Sequence, residues 1–170
     1  AALVWPAPPD TPRIRYVGEL SGEASLHARK SGWPRLSELV AGPKPSIAFS
    51  TPMGVAARGD LVFVADGQNQ AVFRLDLAAR TIQAITHAKP LHGPIDVTLS
   101  ADRLAVADSR RAAVFLYDLQ GEFREAFGEG LLQRPSAIAW DGANSRWWVL
   151  DTAAHACLIF DANGNHLKTI

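Results

Sequence analysis

Three aspartates recur in the same phrase. Asp66 closes "FVAD", Asp108 closes "AVAD" and Asp151 closes "WVLD", at successive offsets of 42 and 43 residues. Carboxylates gathered from three units can coordinate a hard, oxygen-seeking cation such as calcium. Each can instead accept hydrogen bonds from backbone N–H groups of its own following loop, as in an Asx turn. Recurrence in every unit favours the second use, because a binding site draws different groups from different units. Asp76, Asp118 and Asp161 keep the same offsets after the next apolar run and read as turn formers.

The remaining reactive side chains are sparse. His87 and His92 stand five apart within one loop and His155 follows the third aspartate, a spacing with little specificity for metal and no nearby third ligand. Arg110 and Arg111 can grip an acidic group through their guanidinium forks. There is no nucleophile–base arrangement, Gly-rich phosphate loop or metal-ligand motif, so neither catalytic residues nor a cofactor are expected. Cys157 is the single cysteine and cannot form an internal disulfide; within "ACLIF" it reads as a small buried hydrophobe.

Whatever these residues do, repeated strands must position them. Pro52, Pro94 and Pro135 open three units, each patterned as strand, tight turn, strand, loop, strand, tight turn, strand. The first unit supplies 54–58, 61–66, 71–77 and 81–86, and the others follow in step. The inner strands are almost continuously apolar, as strands covered on both faces must be, and the fourth strand alternates with polar residues at the rim. Four antiparallel strands at a period of about 40–45 residues define a β-propeller blade. A β-sandwich also uses many short strands, but it has no reason to repeat Pro and Asp in register.

Strand parity then selects a face. The loop between the second and third strands emerges on the same side as the crossover between blades, and these are the longer, more polar loops. Binding residues concentrate on such loops when a rigid scaffold holds them. The candidate binding surface is therefore Asp66, Asn69, His92, Asp108, Arg110, Arg111, Asp151 and His155, with His87 on the same crossover. Trp147 and Trp148 must point to opposite sides of their strand, one packing between blades and the other toward a neighbouring sheet or interface.

Three domains of different character are expected: a Pro-rich tether over 1–12, a linker region over 13–49, and blades over 50–92, 93–134 and 135–170. Within the linker, "RIRYVGEL" (13–20) reads as a lone strand that closes the ring by joining the last blade, and Pro34 to Gly42 as a short capped helix. Hydrophobic residues make up 48% of the chain, enough for a packed core, and no apolar run approaches the roughly 20 residues that span a bilayer. Seventeen basic residues balance seventeen acidic ones. No net field draws polyanions, so nucleic acid is not an expected partner.

Residues 50–170 resemble the NHL-repeat family of six-bladed propellers, whose repeats open on Pro, run through a "Gly-Val/Ile-Ala" strand and "Val-Ala-Asp", and continue to "Val-x-Phe-Asp". Here "PMGVA", "FVAD" and "AVFRLD" match, as do "PIDVT", "AVAD" and "AVFLYD", then "PSAIA", "WVLD" and "LIFDANGNHLKTI". The name-giving Asn-His-Leu is replaced by Asn69-Gln70-Ala71, Arg111-Ala112-Ala113 and Ala154-His155-Ala156. The resemblance implies a non-catalytic protein-binding or scaffolding module. With the Pro-rich lead and the absent Met, it looks like the exported envelope proteins of that family: periplasmic or extracellular, tethered through a removed or lipidated N-terminus. The alternative it implies is a hydrolase or lyase with a metal in the central channel, as in peptide-amidating lyases of this fold, drawing here on His92, His155, Arg110, Asp66 and Asp108. Six blades need about 250 residues at this period. The chain is thus expected to be part of a longer one, or one half of a ring that self-associates through open blade edges.

Overall fold

The computed structural model describes residues 3–26, 46–85 and 90–170, and these are all-β apart from one turn of helix. Two short strands, β1 (Val4–Trp5) and β2 (Ile14–Arg15), pair antiparallel and are followed by α1 (Glu23–Leu26). The first blade contains β3 (Pro52–Arg58), β4 (Leu61–Asp66), β5 (Ala71–Asp76) and β6 (Thr81–Ile85). The second contains β7 (Pro94–Leu99), β8 (Arg103–Asp108), β9 (Ala113–Asp118) and β10 (Phe123–Phe127). The third contains β11 (Pro135–Asp141), β12 (Arg146–Asp151), β13 (Ala156–Asp161) and β14 (His166–Thr169). Each is an antiparallel sheet with its strands in sequence order. The innermost strands β3, β7 and β11 lie side by side, so the sheets fan from a common edge.

The strands form where β-branched and aromatic residues run, and burial follows the position of each sheet in the stack. In the middle blade, Leu104, Ala105, Val106 and Ala107 are all fully buried, because neighbours cover both faces. In β12 of the third blade the same register alternates: Trp147 and Val149 are buried, Trp148 is half-buried and Leu150 is exposed. One core lies between the first two blades, around Phe63, Val72, Leu104 and Phe115. A second lies between the last two, where the Phe127 ring lies tilted 4.8 Å from that of Phe160 and 6.4 Å from that of Trp147. Trp147 thus packs between blades and Trp148 takes the opposite side, as the alternation requires.

Polar links fasten the sheets as well. Arg58 on β3 donates to the carbonyls of Ser100 and Ala101 in the next blade, and Arg74 Nε donates to Leu119 O at 2.9 Å. Turn glycines admit the neighbour: a side chain at Gly164, at φ +80°, would begin 2.6 Å from Phe127. In the second blade Gly121 sits over Ile85 in the same way.

The N-terminal region departs from expectation. Of "RIRYVGEL", only Ile14–Arg15 is strand, and it pairs back onto Val4–Trp5 within the Pro-rich lead; among the described residues it joins no blade. The prolines between them fold the lead back, and Arg13 N and Tyr16 N bond to Trp5 O and Leu3 O at 2.9 and 2.8 Å. The helix read over Pro34 to Gly42, and His87, lie outside the described residues.

Replacing Gly164 by Val forces a β-branched residue into a left-handed turn and against Phe127. A loss of about 3 kcal/mol or more is expected by chemical denaturation. Gly59→Ala is the control, since Gly59 has φ +56° but open space around it. It should lose only the conformational cost of about 1–2 kcal/mol.

Candidate functional site

The second-to-third strand loops and the crossovers meet at one end of the blades, and the repeated aspartates organise that end. Asp66, Asp108 and Asp151 are all fully buried. Each accepts from two sources, its own loop and the crossover leading into its blade. Asp66 takes the N–H groups of Ser50 at 2.6 Å, Thr51 at 3.0 Å and Asn69 at 3.0 Å, with Asn69 Nδ2 at 3.0 Å. Asp108 takes those of His92 at 2.7 Å, Gly93 at 2.9 Å, and Arg110 and Arg111 at 3.0 Å. Asp151 takes Gln133 at 2.6 Å, Arg134 at 3.0 Å, Ala153 at 3.1 Å and Ala154 at 3.0 Å. The Asx reading accounts for half of this arrangement. The crossover half brings together residues 15 to 18 positions apart, which adjacency along the sequence does not reveal.

Because N–H donors occupy both oxygens, these carboxylates are committed to the scaffold. Burial works to raise Asp66, but the N–H groups of Ser50, Asn69 and Thr51 outweigh it and hold the carboxyl below its ordinary 3.8. Asp151 behaves alike: burial opposes, while Gln133, Ala154 and Arg134 lower it. Among the described residues no three His, Cys, Asp or Glu groups come within metal-holding range. His92 and His155 are exposed on different blades, and His92 contributes its backbone N–H to Asp108.

The loops share one backbone form. Gln70, Ala112 and His155, the last residue of each, all adopt a left-handed conformation near φ +52°. Their tips differ. Arg110 is exposed and its stem lies over Gly93, where an added Cβ would stand 2.8 Å from Arg110 Cγ. It lines a groove of about 360 Å³ with Thr51, Met53, Gln68, Ile95 and Ser109, and has no carboxylate partner among the described residues. Arg111, paired with it in the sequence as a grip for an acidic group, is engaged within the protein instead: it donates to Pro90 O at 3.0 Å and sits 5.5 Å over the Phe115 ring. Asn69 is likewise partly spent, with Nδ2 also donating to Ala48 O at 3.0 Å.

One residue escaped sequence reasoning and another is placed differently from its reading. Asp96, on innermost strand β7, accepts from its neighbour Val97 N and, across blades, from Ile138 N, each at 2.9 Å. Its position after the second proline, matching Gly54 and Ala137, was the available signal. Cys157, expected in the core, is half-buried on the outer side of the third blade, and burial pushes its thiol up. Leu150, Asp151, Thr152, His155 and Ile170 line a shallow pocket beside it.

Four-stranded antiparallel sheets, packed face to face from a shared inner edge, define a β-propeller, and the described residues hold three of its blades. Solved structures agree on the fold. A nidogen/laminin complex matches at TM-score 0.59 and 18% identity over 74% of this chain and 51% of that one. Streptogramin B lyase matches at TM-score 0.62 and 16% identity, over 71% and 41%. The chain therefore spans about half the length of the structures it matches. No family model and no curated protein matches the sequence.

Asp108→Asn should leave some of its four N–H donors facing an amide NH₂, at a cost of about 1–3 kcal/mol. Amide exchange at His92, Gly93, Arg110 and Arg111 is expected to accelerate, while that in the strand cores does not. A pH effect follows from Asp66 and Asp151. Their folded-state values lie below the unfolded ones, so their stabilisation is complete above about pH 4 and is lost as pH falls through the folded values. The melting temperature should drop below about pH 4, and less steeply in an Asp66→Asn/Asp151→Asn variant.

Proposed function

We propose that the chain is an NHL-type propeller module that binds another protein through its long-loop face and acts as a scaffold in the cell envelope. One observation carries this reading: the loops share one backbone form and are pinned by buried carboxylates, yet they present unlike side chains, with Gln68 and Asn69 on one, Arg110 on the next and His155 on the third. Rigid loops lose little entropy on docking, so differing tips can be spent on recognition. The likeness to a structure solved as a nidogen/laminin complex supports a protein partner. Among the described residues no helix is long and apolar enough to cross a membrane.

The enzymatic reading draws support from the shared fold of streptogramin B lyase and would use His92, His155 and Arg110. Asp66 and Asp108, which it also needed, are already satisfied by backbone donors.

A triple variant, Gln68→Lys/Arg110→Glu/His155→Glu, separates the two. Its surface changes should alter stability by no more than about 0.5 kcal/mol. Recovery of a partner from an envelope extract on the immobilised chain should fall about tenfold or more, the loss of roughly 1.4 kcal/mol in binding. Identical recovery by variant and parent, or one tightly bound zinc or calcium per chain by elemental analysis, would count against the binding module.

A further inference from the structure

Two positions flank each buried aspartate. One is the crossover residue whose carbonyl accepts the N–H of the residue after the aspartate, namely Thr51, Gly93 or Arg134. The other is the second residue of the loop, Gln68, Arg110 or Ala153. In the first blade the two answer each other, Thr51 Oγ1 donating to Gln68 Oε1 at 3.1 Å. In the second, the stem of Arg110 crosses the bare Gly93. The third reverses the order: the arginine is on the crossover, with Arg134 Nε donating to Thr152 Oγ1 at 3.1 Å, and the loop offers only Ala153. Successive blades thus hold a guanidinium at the same station, supplied from opposite sides of the aspartate.

Most of their donors are unspent. Both arginines are exposed, and among the described residues no acceptor meets the Arg110 guanidinium or the Nη groups of Arg134. Neither forms an ion pair there, even with Glu129 of the same crossover. Asp108 and Asp151 beneath them do not bond to either guanidinium, because each already has four backbone N–H donors. The two stations meet at a junction between blades. Gly67, the residue after Asp66, comes so near the next blade that an added Cβ would stand 3.6 Å from Pro94 O. β8 runs beside β11 as β4 runs beside β7, which brings the loop of Ser109 and Arg110 up to Arg134 and Pro135. Arg110 also lines the groove of about 360 Å³ at the first junction, where Met53 and Ile95 form an apolar wall. That volume is at the low end for ligand clefts, about 300–1,000 Å³, and suits a short segment. Both junctions lie between described blades, so each is complete on its two sides.

We infer that the groove and the two arginines take a short acidic segment of a partner protein. One apolar side chain of the segment enters between Met53 and Ile95, and carboxylates beside it pair with Arg110 and Arg134. The inference rests on the long-loop face being the binding face and adds the chemistry of what that face holds. Charge selects the acid, because a guanidinium presents five N–H donors in a planar fork that matches a carboxylate and repels a basic segment. The apolar wall and the charge balance select a peptide over nucleic acid. A phosphate backbone is held by neutralising many charges in a row, and this chain has no cations in excess.

Selection from a random short-peptide library on the immobilised chain tests this with no partner named in advance. Enriched peptides should carry Asp or Glu beside Leu, Ile, Met or Phe. For the most enriched peptide, fluorescence anisotropy should show binding about tenfold weaker to Arg110→Gln, to Arg134→Gln and to Met53→Asp, and as weak for a peptide whose acids are replaced by amides. Affinity should also fall as salt is raised. Arg124→Gln is the control: Arg124 pairs with Asp118 at the short-turn end of the blades, and its loss should leave peptide binding unchanged. Thermal melts establish that each variant is folded. No enriched peptide, peptides without acids, or acidic peptides indifferent to both arginines would each overturn the inference. So would displacement of the peptide by poly(U) RNA or by phosphatidylserine vesicles, which would assign the arginines to phosphate. Non-acidic peptides whose binding is lost in a Gln68→Lys/His155→Glu variant would keep the long-loop face and discard only the acidic partner. Peptides that ignore every one of these substitutions would discard both.

Discussion

Each blade depends on one buried carboxylate. An isolated charge out of water costs several kcal/mol, and it persists only where donors surround it. At Asp66, Asp108 and Asp151 those donors are chiefly backbone N–H groups, and they come from two segments, the crossover and the loop, at the end of the ladder where each opening proline pairs with its aspartate. The crossover before each proline and the loop after the second strand are drawn to the same oxygens. A third bond repeats beside them, Gly67 N to Thr51 O, Ser109 N to Gly93 O and Thr152 N to Arg134 O, at 3.1, 2.9 and 3.1 Å. The entry point of every blade is thereby set by its own second strand, and the innermost strand starts where the carboxylate holds the preceding residues.

A clamp made chiefly of backbone donors leaves the side chains around it free to vary. Ser50 and Thr51, His92 and Gly93, and Gln133 and Arg134 share no chemistry, yet they play the same part through their N–H groups. The left-handed residue that ends the loop is Gln, Ala or His, and none of these escapes the steric cost as glycine would. The carboxylate bonds on one side and the strand ladder on the other hold that conformation in place. Unlike surfaces on alike backbones are the result.

The fold was legible because sheet packing imposes a period on sequence. Pro, Asp and apolar positions kept step over three units, and the observed strands fall on the runs that carry them. The carboxylates' crossover partners were not legible, since a hydrogen bond to backbone leaves no mark on residue type. Arg111 was not legible for a related reason: a guanidinium laid over Phe115 and one free to grip an acidic group look the same in a string. Cys157 lies in an apolar run whose counterpart Val114 is fully buried between blades, whereas among the described residues the third blade packs against one other blade and the thiol is half-buried. At the N-terminus, the pairing of Val4–Trp5 with Ile14–Arg15 rests on two residues each, too few to show alternation.

The repeat breaks where the blades converge. After each opening proline the ladder shifts register, and the residue at that shift is Gly54, Asp96 or Ala137. A bulge leaves a backbone N–H without a ladder partner. The Asp96 carboxylate reaches across to the third blade and accepts Ile138 N, while its other oxygen caps Val97 N. Gly54 makes room on the opposite side, since a Cβ there would stand 2.6 Å from both Asp96 Cα and Oδ1. One side chain in the middle blade thus fastens the blade after it and demands the absence of a side chain in the blade before it. Strict repetition could not do this, because three aspartates would collide where one aspartate beside a glycine and an alanine interlocks.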